Sequence, residues 1–86
     1  MGYKKGKSKS LTEREQKIIK EIGSRLKLNR IKSGYTSYEN FAFDREIARM
    51  SVFRLEKGES DFNFTSLLKV LDKLEVSLEE FFKGIK

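Results

Sequence analysis

The chain has 86 residues, enough for one small domain with a single hydrophobic core. It carries a net charge of +6 and contains no cysteine or histidine, which excludes a disulfide framework and a zinc finger. Without those residues, and without a glycine-rich phosphate loop, we expect neither an enzyme nor a cofactor. No apolar run is long enough for a membrane span or a secretory signal, so we expect a cytoplasmic protein.

The positive charge is concentrated in the first third of the chain. Residues 1–32 contain 11 basic and 3 acidic residues, whereas 33–60 and 61–86 each contain 4 basic and 5 acidic ones. Residues 1–10 are rich in Lys, Gly and Ser, which predicts a flexible, disordered basic arm ahead of a domain over residues 11–86. The arm is either a segment that contacts DNA phosphates or enters a minor groove, or a solubilising tail.

Helix signals dominate the domain, and we predict five helices and no strand. Thr12 followed by Glu15 predicts a capping box that opens the first helix, and Gly34 is expected to end it. The apolar positions of this helix share one arc at about 100° per residue: Leu11, Ile18, Ile19, Ile22 and Leu26.

The second and third helices are predicted to be separated by a short break. Ser37 is expected to cap the second helix, with Phe41 and Ala42 inward, and Gly58 to close a third helix over residues 48–57. The third helix has an apolar face, Ala48, Val52 and Leu55, and an opposite face, Arg49, Met50, Phe53, Arg54 and Lys57. Three cations, an aromatic ring and a thioether on one face suit insertion into the DNA major groove, although solvated charged helices are also common.

Two further helices complete the pattern. Asn63 is expected to cap the fourth helix, and Ser77 with Glu80 predicts a second capping box at the start of the fifth. The predicted core stripes are Phe64, Leu67, Leu68, Leu71 and Leu74 in the fourth helix, and Leu78, Phe81, Phe82 and Ile85 in the fifth.

Four motifs follow one another along these helices: LKLNR in the first, NFA in the second, VFRLEKG in the third and SLLKVLDKLEVSLEEFF through the last two. From about Leu26 to Phe82, this pattern resembles the phage-repressor/Cro-like helix-turn-helix family, also called the xenobiotic-response-element family. The resemblance implies an all-α, five-helix, repressor-like domain. Its second helix would brace the DNA backbone, and its third would read the major groove of an inverted repeat as part of a homodimer.

The resemblance also implies roles for particular residues. Arg30 and Glu56 would pair beneath the DNA-facing surface and orient the third helix without reading bases. The residues implied to bind DNA are Tyr38, Arg49, Met50, Ser51, Phe53, Arg54 and Lys57. The last helix commonly contributes to the dimer in this family, so Phe81, Phe82 and Ile85 are candidate dimer contacts; alternatively, Phe81 and Phe82 both close the core.

The sequence departs from the family pattern around the second turn. Arg45 and Glu46 stand where an aliphatic residue and a glycine are usual, and Ala48 stands where a Ser or Thr N-cap is usual. Leu28 and Ile31 lie away from the first helix's apolar arc, either as scattered surface residues or as a second contact patch.

The function implied is that of a sequence-specific DNA-binding transcriptional regulator, a repressor, acting on double-stranded DNA. The alternative is a protein-interaction module, such as an antitoxin-like or anti-regulator domain on the same scaffold with a protein partner. Met50 and Phe53 on the outer face of the third helix favour that alternative. RNA binding is a weaker third option, because the aromatic residues do not form a stacking platform.

Overall fold

The computed structural model describes residues 11–58 and 63–85, and within these ranges it contains helices and no strand. The five helices are α1 (Glu13–Lys32), α2 (Tyr38–Asp44), α3 (Arg49–Lys57), α4 (Phe64–Leu74) and α5 (Leu78–Phe82). Helix α3 contacts α1, α2 and α4 and therefore lies at the centre of the fold. The predicted all-α class with five helices is confirmed. The predicted basic arm, residues 1–10, lies outside the described residues.

The helix starts follow their predicted caps. At α1, Thr12 Oγ1 accepts a hydrogen bond from the Glu15 backbone N–H (3.1 Å) while the Glu15 carboxylate accepts one from the Thr12 N–H (3.0 Å), completing the capping box. Helix α3 begins after Ala48, whose methyl group makes no cap hydrogen bond. The caps of the other three helices are the predicted ones, Ser37, Asn63 and Ser77.

None of the described helices combines the length and apolar character that a membrane crossing requires.

Helices α1, α2 and α4 end in the same left-handed motif. The residues that take a positive φ are Gly34 (101°), Glu46 (57°) and Glu75 (60°). After Glu46, the Ile47 N–H donates to the Ala42 carbonyl (2.9 Å), which is the bond expected of a Schellman motif. A left-handed conformation costs a non-glycine residue about 1–2 kcal/mol. Glu46 therefore adopts, at some conformational cost, the left-handed backbone for which the family pattern has a glycine. The turn itself remains of the same type.

Arg45, the other departure at this turn, joins the end of α2 to the end of α4. Its guanidinium donates a hydrogen bond to the Lys73 carbonyl. The same group lies 5.4 Å from the Tyr35 ring centroid and 5.7 Å from that of Phe41. These distances are typical of cation–π contacts. Arg45 therefore packs α2 against its neighbours, a role that an aliphatic side chain would fill in the family pattern.

The core draws residues from every helix. Ala48, predicted to face it, is instead exposed, because it precedes the first turn of α3 with an extended backbone (φ −62°, ψ 125°). The buried apolar residues are Ile22, Leu26, Phe41, Ala42, Val52, Leu55, Leu67, Val70, Leu71 and Phe81.

The predicted stripe of α4 is wrong at two positions. Phe64 is 56% exposed and Leu68 is 38% exposed, whereas Val70, outside the predicted stripe, is buried. Leu68 lies about 100° around the helix from Leu67. Helix α4 meets α1 and α3 along one side. Its buried arc is therefore narrower than the arc over which its apolar residues are distributed.

The end of α5 is held by α1. Arg25 Nη1 donates hydrogen bonds to the carbonyls of Phe81 (2.7 Å) and Lys83 (2.6 Å), so a charged side chain caps the last turn of α5. At the start of α5, Ser77 Oγ accepts the Glu80 N–H (3.1 Å), which is one half of the predicted capping box.

The backbones of helices α1 and α3 come into direct contact at Gly23. A Cβ atom built on Gly23 would lie 2.5 Å from the Glu56 carbonyl oxygen and 2.7 Å from that of Leu55. Both distances are far inside van der Waals contact with rigid backbone atoms. Gly23 is therefore required for α3 to rest directly on α1, a role that the sequence pattern did not reveal.

We predict that Gly23→Ala destabilises the domain by about 1–3 kcal/mol, because the added methyl group overpacks the α1–α3 contact. Helix propensity alone predicts the opposite, a gain of about 1 kcal/mol. Urea unfolding measures the difference, with the exposed neighbour Ser24→Ala as the matched control, which should be neutral or slightly stabilising. An unchanged or increased stability in Gly23→Ala would contradict the close approach.

Candidate nucleic-acid interface

The outer face of α3 presents cations around an apolar centre. Arg49, Arg54 and Lys57 are exposed. Met50 is 45% exposed, and Phe53 is half-buried. All five residues lie where the helical period predicts them, opposite the buried face of the helix. The surface can therefore attract phosphates and also contact an apolar group.

Phe53 is held in place by two neighbours. The Tyr38 ring lies against it with centroids 5.4 Å apart and an interplanar angle of 39°. The Lys57 ammonium lies 5.3 Å from the Phe53 centroid. Tyr38 is the first residue of α2, as predicted, so this cluster joins the start of α2 to the outer face of α3.

Arg49 is paired with an acidic residue that was not among the predicted site residues. Its Nη1 lies 3.9 Å from a carboxylate oxygen of Glu39, in the first turn of α2. Both side chains are more than half exposed, so the pair adds little stability. Its importance is that Arg49 has a carboxylate partner that any DNA contact must replace. The position of Glu39, directly after the predicted DNA-binding residue Tyr38, could have indicated this pair.

Ser51 stands apart from the other candidate residues. It is half-buried and lines a cleft between α3 and α4, together with Ser66 and Lys69 of α4. The structure therefore does not bring Ser51 together with the exposed residues of the outer face, with which it was predicted to bind DNA.

Arg30 and Glu56 form the predicted ion pair, beneath the outer face. Arg30 Nε donates to Glu56 Oε2 (2.7 Å) and Nη2 donates to Oε1 (3.0 Å), a two-point contact with defined geometry. The Arg30 side chain is 5% exposed and that of Glu56 11% exposed. Arg30 Nη1 also donates to the Tyr35 carbonyl (2.8 Å). The pair ties α3 to the end of α1 and takes no part in the exposed face.

The candidate dimer contacts differ in how far their side chains are exposed. Phe81 is 2% exposed within its own chain, so it closes the core, which is the alternative that the sequence left open for it. Phe82 is half-buried and meets Phe81 edge-on, with centroids 5.1 Å apart. Ile85 lies beyond the end of α5 and is also half-buried. Leu78, which was assigned to the core, is 46% exposed beside them.

No group of three or more acidic side chains in the described ranges is placed to hold a metal ion. Comparison with models of known protein families gives no match, and comparisons with curated proteins and with solved structures also give none. The interface must therefore be interpreted from the chemistry of its own residues.

We predict that Glu56→Ala lowers the free energy of unfolding by about 3–5 kcal/mol, because it leaves the buried guanidinium of Arg30 without its carboxylate. The matched control is Glu21→Ala, which removes an exposed carboxylate from Arg25 on the same helix. That control should cost less than about 1 kcal/mol. Equal losses in urea unfolding for the two variants would contradict an orienting role for the buried pair.

Proposed function

We propose that this chain is a sequence-specific DNA-binding transcriptional regulator, a repressor of the helix-turn-helix type, which reads the major groove with α3. The observation that carries the proposal is the outer face of α3, where three exposed cations surround an apolar centre. The opposite side of the helix is fixed against α1. The four residues between α2 and α3, 45–48, also suit a helix-turn-helix. The resemblance of the RLEKG segment to the repressor-like family supports the same function.

The Arg49–Glu39 pair fits a protein that must discriminate between sites. On binding, Arg49 would exchange the Glu39 carboxylate for a guanine edge, to which arginine binds through two hydrogen bonds. A phosphate offers a less specific replacement, and the nearby carboxylate repels it. Glu39 would therefore weaken non-specific binding more than binding to the preferred site.

A protein-interaction module is the second candidate, and one observation favours it. Phe43 on α2 is 84% exposed, and Met50 on α3 is 45% exposed. Exposed aromatic and thioether groups are enriched in protein interfaces, and DNA reading does not account for Phe43.

The salt dependence of binding separates the two functions. Anisotropy titrations of a labelled duplex, repeated between about 50 and 200 mM salt, should show log K falling linearly with log[salt], with a slope of about −0.9 for each phosphate contact. DNA binding that is absent at low salt, or independent of salt, would contradict the DNA-binding proposal and favour the protein-interaction module.

We predict that Arg54→Ala weakens binding to the preferred site by about 1–3 kcal/mol and relaxes the preference at one base position. Lys57→Ala, its matched control on the next turn, should weaken all sequences alike and reduce the salt slope by about 1. Competition titrations with specific and random duplexes measure both effects. Equal losses on both duplexes for Arg54→Ala would reassign Arg54 to a phosphate.

We also propose that two copies bind together on an inverted repeat. One reading helix contacts few base pairs, and paired helices about 34–36 Å apart provide the specificity that a single one lacks. The apolar surface that supports this assembly would include the exposed Leu78 of α5, together with the exposed parts of Phe82 and Ile85, which also pack against the core.

We predict that Phe82→Glu yields folded monomers that bind the full inverted repeat much more weakly, because a charge replaces the aromatic ring in this surface. Lys83→Glu, which places the same side chain on the exposed neighbouring residue, should remain dimeric. Analytical ultracentrifugation and circular dichroism distinguish dissociation from unfolding. A wild-type protein that stays monomeric at high concentration, with one domain per site, would contradict the assembly.

A further inference from the structure

Two apolar side chains occupy the middle of the outer face of α3. Met50 and Phe53 are three residues apart, so their side chains are neighbours on one side of the helix. The exposed cations Arg49, Arg54 and Lys57 flank them. A surface that is otherwise suited to phosphates and guanine edges thus contains a small apolar patch between its cations.

The patch is organised before any ligand binds. The Phe53 ring already packs against the Tyr38 ring, 5.4 Å away, and beneath the Lys57 ammonium, 5.3 Å away. A ring held by two neighbours loses little conformational entropy when it makes a further contact. The same contacts oppose its insertion between base pairs, because insertion would require the ring to leave both neighbours.

The apolar group that the major groove offers to such a patch is the C5-methyl group of a pyrimidine. Thymine presents this methyl group beside its O4 acceptor, and phenylalanine is among the side chains that contact it. Cytosine lacks the methyl group, and 5-methylcytosine carries it at the same ring position. Uracil pairs as thymine does but has no methyl group.

We infer that Met50 and Phe53 form a binding site for a pyrimidine C5-methyl group and make the protein prefer thymine at the base pair opposite them. The inference rests on the proposed function, since it names a base feature that α3 reads in addition to the arginine contacts. One buried methyl group changes Kd by about three- to fivefold, which is the expected size of the preference.

The test uses the full chain and the duplex it binds best from a randomised pool. At each thymine of that duplex, four versions are compared: T·A, U·A, 5-methyl-C·G and C·G. At one or two positions, we expect uracil to weaken binding about three- to fivefold, and 5-methylcytosine to bind more tightly than cytosine by a similar factor. Tighter binding of T·A than of 5-methyl-C·G identifies thymine as the natural source of the methyl group.

Substitutions connect the effect to the patch. Phe53→Ala or Met50→Ala should abolish the difference between thymine and uracil at one of these positions. Leu28→Ala, which removes an apolar side chain that is 59% exposed on α1, should retain it. Circular dichroism verifies folding, and Met50→Ala keeps the test decisive if Phe53→Ala unfolds.

Two results would overturn the inference while leaving DNA binding intact. One is a methyl effect below about twofold at every position, in a protein whose binding still falls steeply with salt. The other is an undiminished methyl effect in both Phe53→Ala and Met50→Ala. Absence of DNA binding at low salt would instead overturn the proposed function together with the inference.

Discussion

The orientation of α3 depends on how its C-terminal half meets α1. At Gly23, the carbonyls of Leu55 and Glu56 occupy the space that any side chain at that position would need. Two turns further along α1, Arg30 forms a two-point ion pair with the carboxylate of the same Glu56. Glu56 is thus fixed through both its backbone and its side chain. This double contact sets which side of α3 faces the core and which side faces outward.

This contact also fixes the positions of the side chains on the outer face of α3. Because α3 cannot rotate freely on α1, Phe53 stays against Tyr38 and Arg49 stays near Glu39. A prepared surface binds with a smaller entropy cost than one that must be assembled on the ligand. The proposed reading of DNA therefore depends on buried residues that never touch it, above all Gly23.

Local chemistry explains which features the sequence could predict. The Thr12 cap and the helix ends at Gly34 and Gly58 depend on neighbouring residues, and the Arg30–Glu56 pair was implied by a family resemblance. Features that depend on the relative placement of helices were missed or wrong. Phe64 belongs to an apolar pattern, but the partners of α4 do not reach it. Gly23 looked like an ordinary helix position, since its role appears only when the α3 backbone lies against it.

The most direct test of this account is an amide chemical-shift map of the full chain during titration with duplex DNA at low salt. If α3 reads the major groove, the largest changes fall at the start of α2 and along α3 from Arg49 to Lys57. Changes in α5 should be small once those caused by dimerisation alone, measured without DNA, are subtracted. Changes concentrated around Leu28 and Ile31 on α1, or no changes at all, would contradict the assignment of α3 as the reading helix.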